Sequence, residues 1–130
     1  MNQQPKYRRI LLKLSGEALA NGQKDSILDF TFIDQVAAVL KKCLEAGVEI
    51  GIVVGAGNIW RGRQGNDMDR TAADRMGMLA TVINSICLKD AIERAGARAS
   101  VMTAVAMPPL AEPYSSDEAK KRLSAGEVVI

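Results

Sequence analysis

The run VEIGIVVGAGN, residues 48–58, decides how this chain folds. Its first seven residues are largely β-branched and apolar, which fits a buried strand, and Gly55-Ala56-Gly57-Asn58 follows without a break. A glycine-rich turn at the carboxyl end of a buried strand is where α/β folds place their ligands. On the N-terminal side, YRRILLKL at 7–14 reads as a first buried strand that stops at a Ser15-Gly16 turn, and residues 20–29 read as a loop around Asn21-Gly22. From Thr31, the spacing of Ile33, Val36, Ala37, Leu40 and Leu44 predicts an amphipathic helix, with Thr31 and Asp34 as its capping box and Gly47 at its end.

On the C-terminal side, residues 61–70 read as a polar loop or lid. A long helix is expected over 72–95 with two apolar stripes, one through Met76, Leu79, Ile83 and Ile86, the other through Met78, Val82 and Ile92. One stripe would pack on the sheet and the other needs a second partner. A third strand over 97–103, an irregular connection through Pro108, Pro109 and Pro113, a short helix capped by Ser115 and Glu118, and a fourth strand over 127–130 complete the pattern. Strands alternating with helices imply a mainly parallel sheet covered by helices. The chain stops inside an apolar strand, as expected of a fragment.

Composition narrows the chemistry. The 130 residues are 48% hydrophobic, 25% charged and 4% aromatic, the balance of one ordinary globular domain. With 17 Lys and Arg against 15 Asp and Glu, the net charge of +2 gives no electrostatic case for nucleic acid or an anionic membrane, and Lys120-Lys121-Arg122 reads as a solvated helix face. There is no histidine, which excludes Ser-His-Asp and Cys-His catalysis and imidazole metal ligation. Cys43 and Cys87 form no metal-ligand cluster and read as small apolar residues in a reducing compartment. No apolar run approaches the roughly 20 residues of a membrane span, so the expected location is cytoplasmic.

Three places can carry chemistry. Lys13, before the Ser15-Gly16 turn, can aim a point charge at a phosphate held by backbone amides, or can be an edge lysine that snorkels to solvent. In the second, the glycines at 55 and 57 let the backbone approach a phosphate and Arg61 can clamp phosphoryl oxygens, the alternative being a structural turn. Trp60 stands where a dinucleotide fingerprint has its third glycine, and no Walker A loop exists. The third is Asp74 with Arg75 in the first turn of the long helix, an acceptor for ligand hydroxyls or simply a partner of the helix dipole.

Together, KLSGEAL at 13–19, VVGAGNIWRG at 53–62 and DRMGMLATVINS at 74–85 resemble the amino acid kinase family, and the last motif resembles its bacterial uridylate kinase branch. The resemblance implies a three-layer αβα fold and transfer of the γ-phosphoryl group of ATP to UMP, with Mg²⁺ accompanying the nucleotide and no protein metal site. Lys13, Leu14, Ser15, Gly16, Gly57 and Arg61 match the family's ATP positions, with Lys13 and Arg61 as the catalytic cations. Gly55, Ala56 and Asp74 match its UMP positions. It also implies a homo-oligomer, a hexamer in the family, through helix 72–95, with Val82 on the stripe that meets another subunit, and GTP and UTP as effectors.

The sequence departs from the family pattern in three ways. Ala56 stands where a third glycine is usual, and residues 20–29 lack the glycine-rich sequence by which many members contact GTP. The family's Gly-Thr-Gly-Asn segment and adenine-binding portion have no counterpart in 1–130, which is expected to be a single N-terminal portion, inactive alone. The competing readings are a family member that phosphorylates a carboxylate or carbamate, and a non-catalytic nucleotide-binding or oligomerisation module.

Overall fold

In the computed structural model, which describes residues 4–23, 25–60 and 67–130, the 48–58 run lies at the centre of the sheet. β2 (Glu49–Val54) is buried at every position from Ile50 to Val54 except Val53. It pairs in parallel with β1 (Arg9–Leu14), from Arg9 opposite Glu49 to Leu14 opposite Val54, and on its other side with β6 (Val128–Val129). β3 (Ala99–Ser100) adds to β6, giving the all-parallel order β1-β2-β6-β3 that the alternation of strands and helices predicts.

The first strand is an edge strand, not a buried one. Its exposure alternates: Ile10, Leu12 and Leu14 pack against the core, while Arg9, Leu11 and Lys13 face outward, with Leu11 74% exposed. Four apolar residues in LLKL and its neighbours read as burial on both faces, but β1 has a partner on one side only.

α2 (Phe30–Glu45) and α3 (Arg70–Arg94) cover one face of the sheet, and the core between them is filled by Leu19, Ile33, Ile50, Leu88, Ile92 and Val128. The cap of α2 is Asp29, not Thr31: the Asp29 carboxylate accepts from the Phe32 amide at 3.0 Å, and Thr31 is already helical. A carboxylate satisfies an orphan donor and also complements the positive end of the helix. α2, α3 and α4 (Ser116–Ser124) are each followed by a glycine at positive φ, Gly47 (91°), Gly96 (96°) and Gly126 (84°), the left-handed step that terminates a helix. Ser115 caps α4 by accepting from the Glu118 amide at 3.3 Å, while the Glu118 carboxylate is engaged by Arg122 at 3.0 Å.

The third strand does not run unbroken over 97–103. After β3, Val101 gives its carbonyl to the amide of Glu112 at 2.9 Å, and β4 (Met102–Thr103) pairs with β5 (Glu112–Pro113) while the Met102 amide still donates to the Ile130 carbonyl at 2.8 Å. Proline is compatible with that short strand because no ladder donor is required of it. Arg122 fastens this corner, reaching Glu112 Oε1 at 2.7 Å and Ser100 Oγ at 2.9 Å. The guanidinium holds the Glu112 carboxyl below the usual carboxylate range. α4 lies on the other face of the sheet, where Ala119 and Leu123 join Leu11, Val53 and Val129 around a groove of about 790 Å³. The result is α2 and α3, sheet, then α4, in three layers.

The stripes of α3 are the main correction to the helix pattern. Met76 (41% exposed), Leu79 (53%), Ile83 (52%) and Ile86 (41%) all lie open, and Met78 (43%) with them. Val82 and Ile92 are buried instead, and the packed face runs through Ala73, Ala80, Asn84, Leu88 and Ala91. Small residues on that face let the helix approach the sheet, so the bulkier stripe is the one left without a partner.

Candidate active site at two glycine turns

Parallel pairing in register brings the carboxyl ends of β1 and β2 side by side, so the turns that follow them meet. The Gly55 amide donates to the Leu14 carbonyl at 2.8 Å, one step beyond the last strand pair. Ser15 then caps a four-residue helix, α1 (Gly16–Leu19), its Oγ accepting from the Ala18 amide at 3.2 Å. The sequence shows only a Ser-Gly turn here, because a single helical turn carries no periodicity to read.

The two turns touch through backbone. A Cβ on Gly16 would collide with the Gly57 nitrogen and stand 2.7 Å from the Ala56 carbonyl carbon. Only glycine fits such an approach. Ala56 is different: among the described residues Asn21 alone, of the non-glycines, has positive φ (52°), so the backbone at 56 suits an L-residue and its methyl causes no strain.

Beyond Gly57 the chain folds into one helical turn, with the Ile59 and Trp60 amides donating to the Ala56 carbonyl at 2.9 and 3.0 Å. Trp60 Nε1 donates to the Ala73 carbonyl at 2.9 Å, tying this turn to the start of α3. An amide pair fixes the other end. Asn84 Nδ2 on α3 donates to the Gly55 carbonyl and to Asn58 Oδ1, each at 2.8 Å. Asn58 Nδ2 donates to Asn84 Oδ1 at 3.1 Å and to the Ile27 carbonyl at 2.7 Å. The motif reading missed both amides. The available signal was an asparagine at 84 between Ala80 and Leu88, polar on the buried face of an amphipathic helix.

Lys13, Leu14, Ser15, Gly16, Gly55, Ala56 and Gly57 therefore gather at the carboxyl ends of two adjacent strands. Lys13 and Ser15 are exposed there, while Leu14, Gly55, Ala56 and Gly57 are partly covered and Gly16 is buried. Asp74 is exposed on α3 next to Ala73. It sits in the second turn of that helix, not the first, because Asp69 caps it by accepting from the Ala72 amide at 3.1 Å, two residues earlier than the stripe pattern predicts. Asp74 thus lies beyond the turn in which the helix dipole acts most strongly. Arg61 falls outside the described residues.

A cavity of about 350 Å³ adjoins the turns, bounded by Glu17, Gln23, Ser26, Gly57 and Asn58. The larger groove on the α4 side is mostly apolar and none of residues 13–16 or 55–58 lines it. Chemistry favours the turns over the groove: backbone amides beside an exposed lysine suit phosphoryl oxygens, whereas an apolar trough does not. The sulfur chemistry is quiet, since burial, with Asp90 nearby, pushes the Cys87 thiol up and keeps it protonated. Among the described residues no cluster of three Cys, Asp or Glu side chains is placed to hold a metal, and no helix is long and apolar enough to cross a membrane.

The amino acid kinase family model matches residues 8–130. A crystal structure of UMP kinase from Bacillus anthracis superposes with a TM-score of 0.87 at 35% identity over 95% of this chain. One of UMP kinase from Ureaplasma parvum gives 0.86 at 35% identity over 96%. An isopentenyl phosphate kinase substrate complex shares the fold, with a TM-score of 0.56 at 15% identity over 95% of the chain. The chain covers 52%, 55% and 54% of these three structures, about half the length of each.

Proposed function

From the premise that the chain belongs to the amino acid kinase family, we propose that it forms the phosphate and acceptor side of a UMP kinase, transferring the γ-phosphoryl group of ATP to UMP. The observation that carries this reading is the contact between the Ser15-Gly16 and Gly55–Asn58 turns at the ends of two adjacent parallel strands, with Lys13 exposed beside them. The 35% identity to two UMP kinases over nearly the whole chain supports UMP as acceptor over a carboxylate or carbamate.

Phosphoryl transfer asks for in-line positioning and neutralisation of charge on the transferred oxygens more than for covalent chemistry. In this reading the turns at Ser15-Gly16 and Gly57 hold ATP phosphates, Lys13 and Arg61 offset the developing charge, and Gly55, Ala56 and Asp74 face UMP, with Asp74 accepting from ribose hydroxyls. Mg²⁺ would arrive on the triphosphate, which supplies its own oxygen ligands. The described residues offer it no acidic cluster of their own.

The exposed stripe of α3 completes the proposal as a self-association face, with Leu79 and Ile83 at its centre in place of Val82. Cytoplasmic pyrimidine nucleotide synthesis is the setting that this activity implies.

The deciding experiment measures ADP formation from Mg-ATP with UMP, CMP, acetylglutamate, aspartate or carbamate as acceptor. It is accompanied by titration of UMP and Mg-ATP into the chain itself. UMP-selective turnover or UMP-selective binding is expected. Selectivity for a carboxylate acceptor, or no nucleotide binding at all, overturns the proposal.

A further inference from the structure

We propose that Asn84 is a positioning residue for this site, acting through the Gly55 carbonyl to aim the Ala56 N–H at a phosphorylated ligand; the ligand class rests on the function proposed above. Asn84 is 0% exposed on the packed face of α3, where neighbours such as Ala80 and Leu88 are apolar. An amide is a costly choice there unless its groups are satisfied, and all of its partners belong to the 55–58 turn.

The consequence follows from peptide geometry. The 55–56 peptide is trans and planar, so its C=O and N–H point in opposite directions. Asn84 Nδ2 holds the Gly55 carbonyl toward α3 at 2.8 Å, and the N–H of Ala56 is thereby directed away from α3. Asn58 locks the arrangement from the other end. Its amide bridges Asn84 to the Ile27 carbonyl, and its Oδ1 fills the space into which a Cβ on Gly16 would project. One buried side chain on the long helix therefore sets the direction of a backbone donor at the meeting point of both turns. A misplacement of about an ångström in such a donor costs on the order of 10²-fold in a site built for positioning.

The test compares Asn84→Ser with Leu88→Ala, a cavity variant one turn away on the same buried face whose apolar side chain belongs to the core. Asn58→Ala, at a half-buried position, serves as a second route should Asn84→Ser fail to fold. Two readouts are taken from each protein: residue-level amide hydrogen exchange at Ile59 and Trp60, whose N–H groups donate to the Ala56 carbonyl, without ligand, and affinity for UMP and Mg-ATP. The expected result is faster exchange at Ile59 and Trp60 and 10- to 100-fold weaker nucleotide binding in the asparagine variants. Leu88→Ala should lose thermal stability but keep wild-type exchange at Ile59 and Trp60 and wild-type affinity. Unchanged exchange in the asparagine variants, or affinity losses equal to those of Leu88→Ala, overturns the positioning role. If the wild-type chain binds neither nucleotide, the functional reading falls while exchange at Ile59 and Trp60 still decides whether the amide pair holds the turn.

Discussion

Replacing Gly16 by alanine puts the contact between the two turns under direct stress. A real Cβ essentially never stands closer than 3.0 Å to such neighbours, yet the added atom would meet the Gly57 nitrogen well inside that limit and the Ala56 carbonyl carbon at 2.7 Å. Both are backbone atoms, which cannot swing aside as a side-chain tip can, so the turns must separate by roughly half an ångström. Overpacking of this kind costs about 1–3 kcal/mol. For a domain of this size that is a fall of roughly 3–15 °C in melting temperature. Gly51 in β2 is the internal control, because a Cβ there meets only Leu11 Cδ1 at 3.4 Å and carbonyl oxygens at 3.9 Å, ordinary contact distances. Gly51→Ala should therefore be neutral, or stabilise by up to about 1 kcal/mol through the unfolded chain. Thermal denaturation followed by circular dichroism compares the two variants, and nucleotide titration follows the site. Equal melting temperatures for Gly16→Ala and Gly51→Ala would show that the turns do not touch and would remove the physical basis of the site.

Three further outcomes are expected. Lys13→Ala or Arg61→Ala, in a catalytically active form of the protein, should lower turnover with UMP by about 10²- to 10³-fold, the loss typical of a preorganised donor at developing charge; near-normal turnover in steady-state assays would remove that residue from the mechanism. Because Arg122 depresses the folded-state pKa of Glu112, the Glu112 contribution to stability is present above the unfolded carboxylate pKa of about 4.3 and fades as pH falls through the lower folded value. The melting-temperature gap between wild type and Glu112→Gln should accordingly be constant near neutrality and narrow as pH falls below the unfolded carboxylate value; a gap that does not narrow in acid contradicts this. Ile83→Glu on the open stripe of α3 should reduce oligomeric mass in sedimentation with little change in the fold, whereas an unchanged mass would place any subunit contact elsewhere.

The strand and turn at 48–58 were legible because burial on both faces leaves a continuous β-branched run, and the glycines mark where it ends. The Ser15-Gly16 turn was legible because the apolar run of β1 stops there, although that run was read as buried on both faces and lies at the edge of the sheet. What escaped was set by contacts between segments. The edge position of β1 depends on which strands pair, and an apolar run looks alike at an edge and in the centre. The stripes of α3 were both visible, but sequence counts apolar bulk, and the helix packs through alanines that admit close approach. Asp29 displaced Thr31 as a cap because a carboxylate was available two residues earlier, and Asp69 moved the start of α3 and with it the position of Asp74. Asn84 and Asn58 were not legible as a pair, since they lie 26 residues apart and have meaning only once α3 crosses the turn.

That crossing explains why a site of glycine turns needs the long helix at all. A turn rich in glycine approaches a phosphate closely but loses more conformational entropy on ordering than any other backbone. Strand pairing reaches only its first residue, through the Gly55 amide on Leu14, and the Ile59 and Trp60 amides close the turn on the Ala56 carbonyl without tying it to the rest of the fold. α3 supplies that tie at two points, through Asn84 at the Gly55 carbonyl and through the Ala73 carbonyl at Trp60. Both anchors come from the same rigid helix and lie on either side of the glycine turn, so the loop between them is held like a strap between two posts. The freedom that lets glycine approach a ligand is thereby retained in shape and withdrawn in motion.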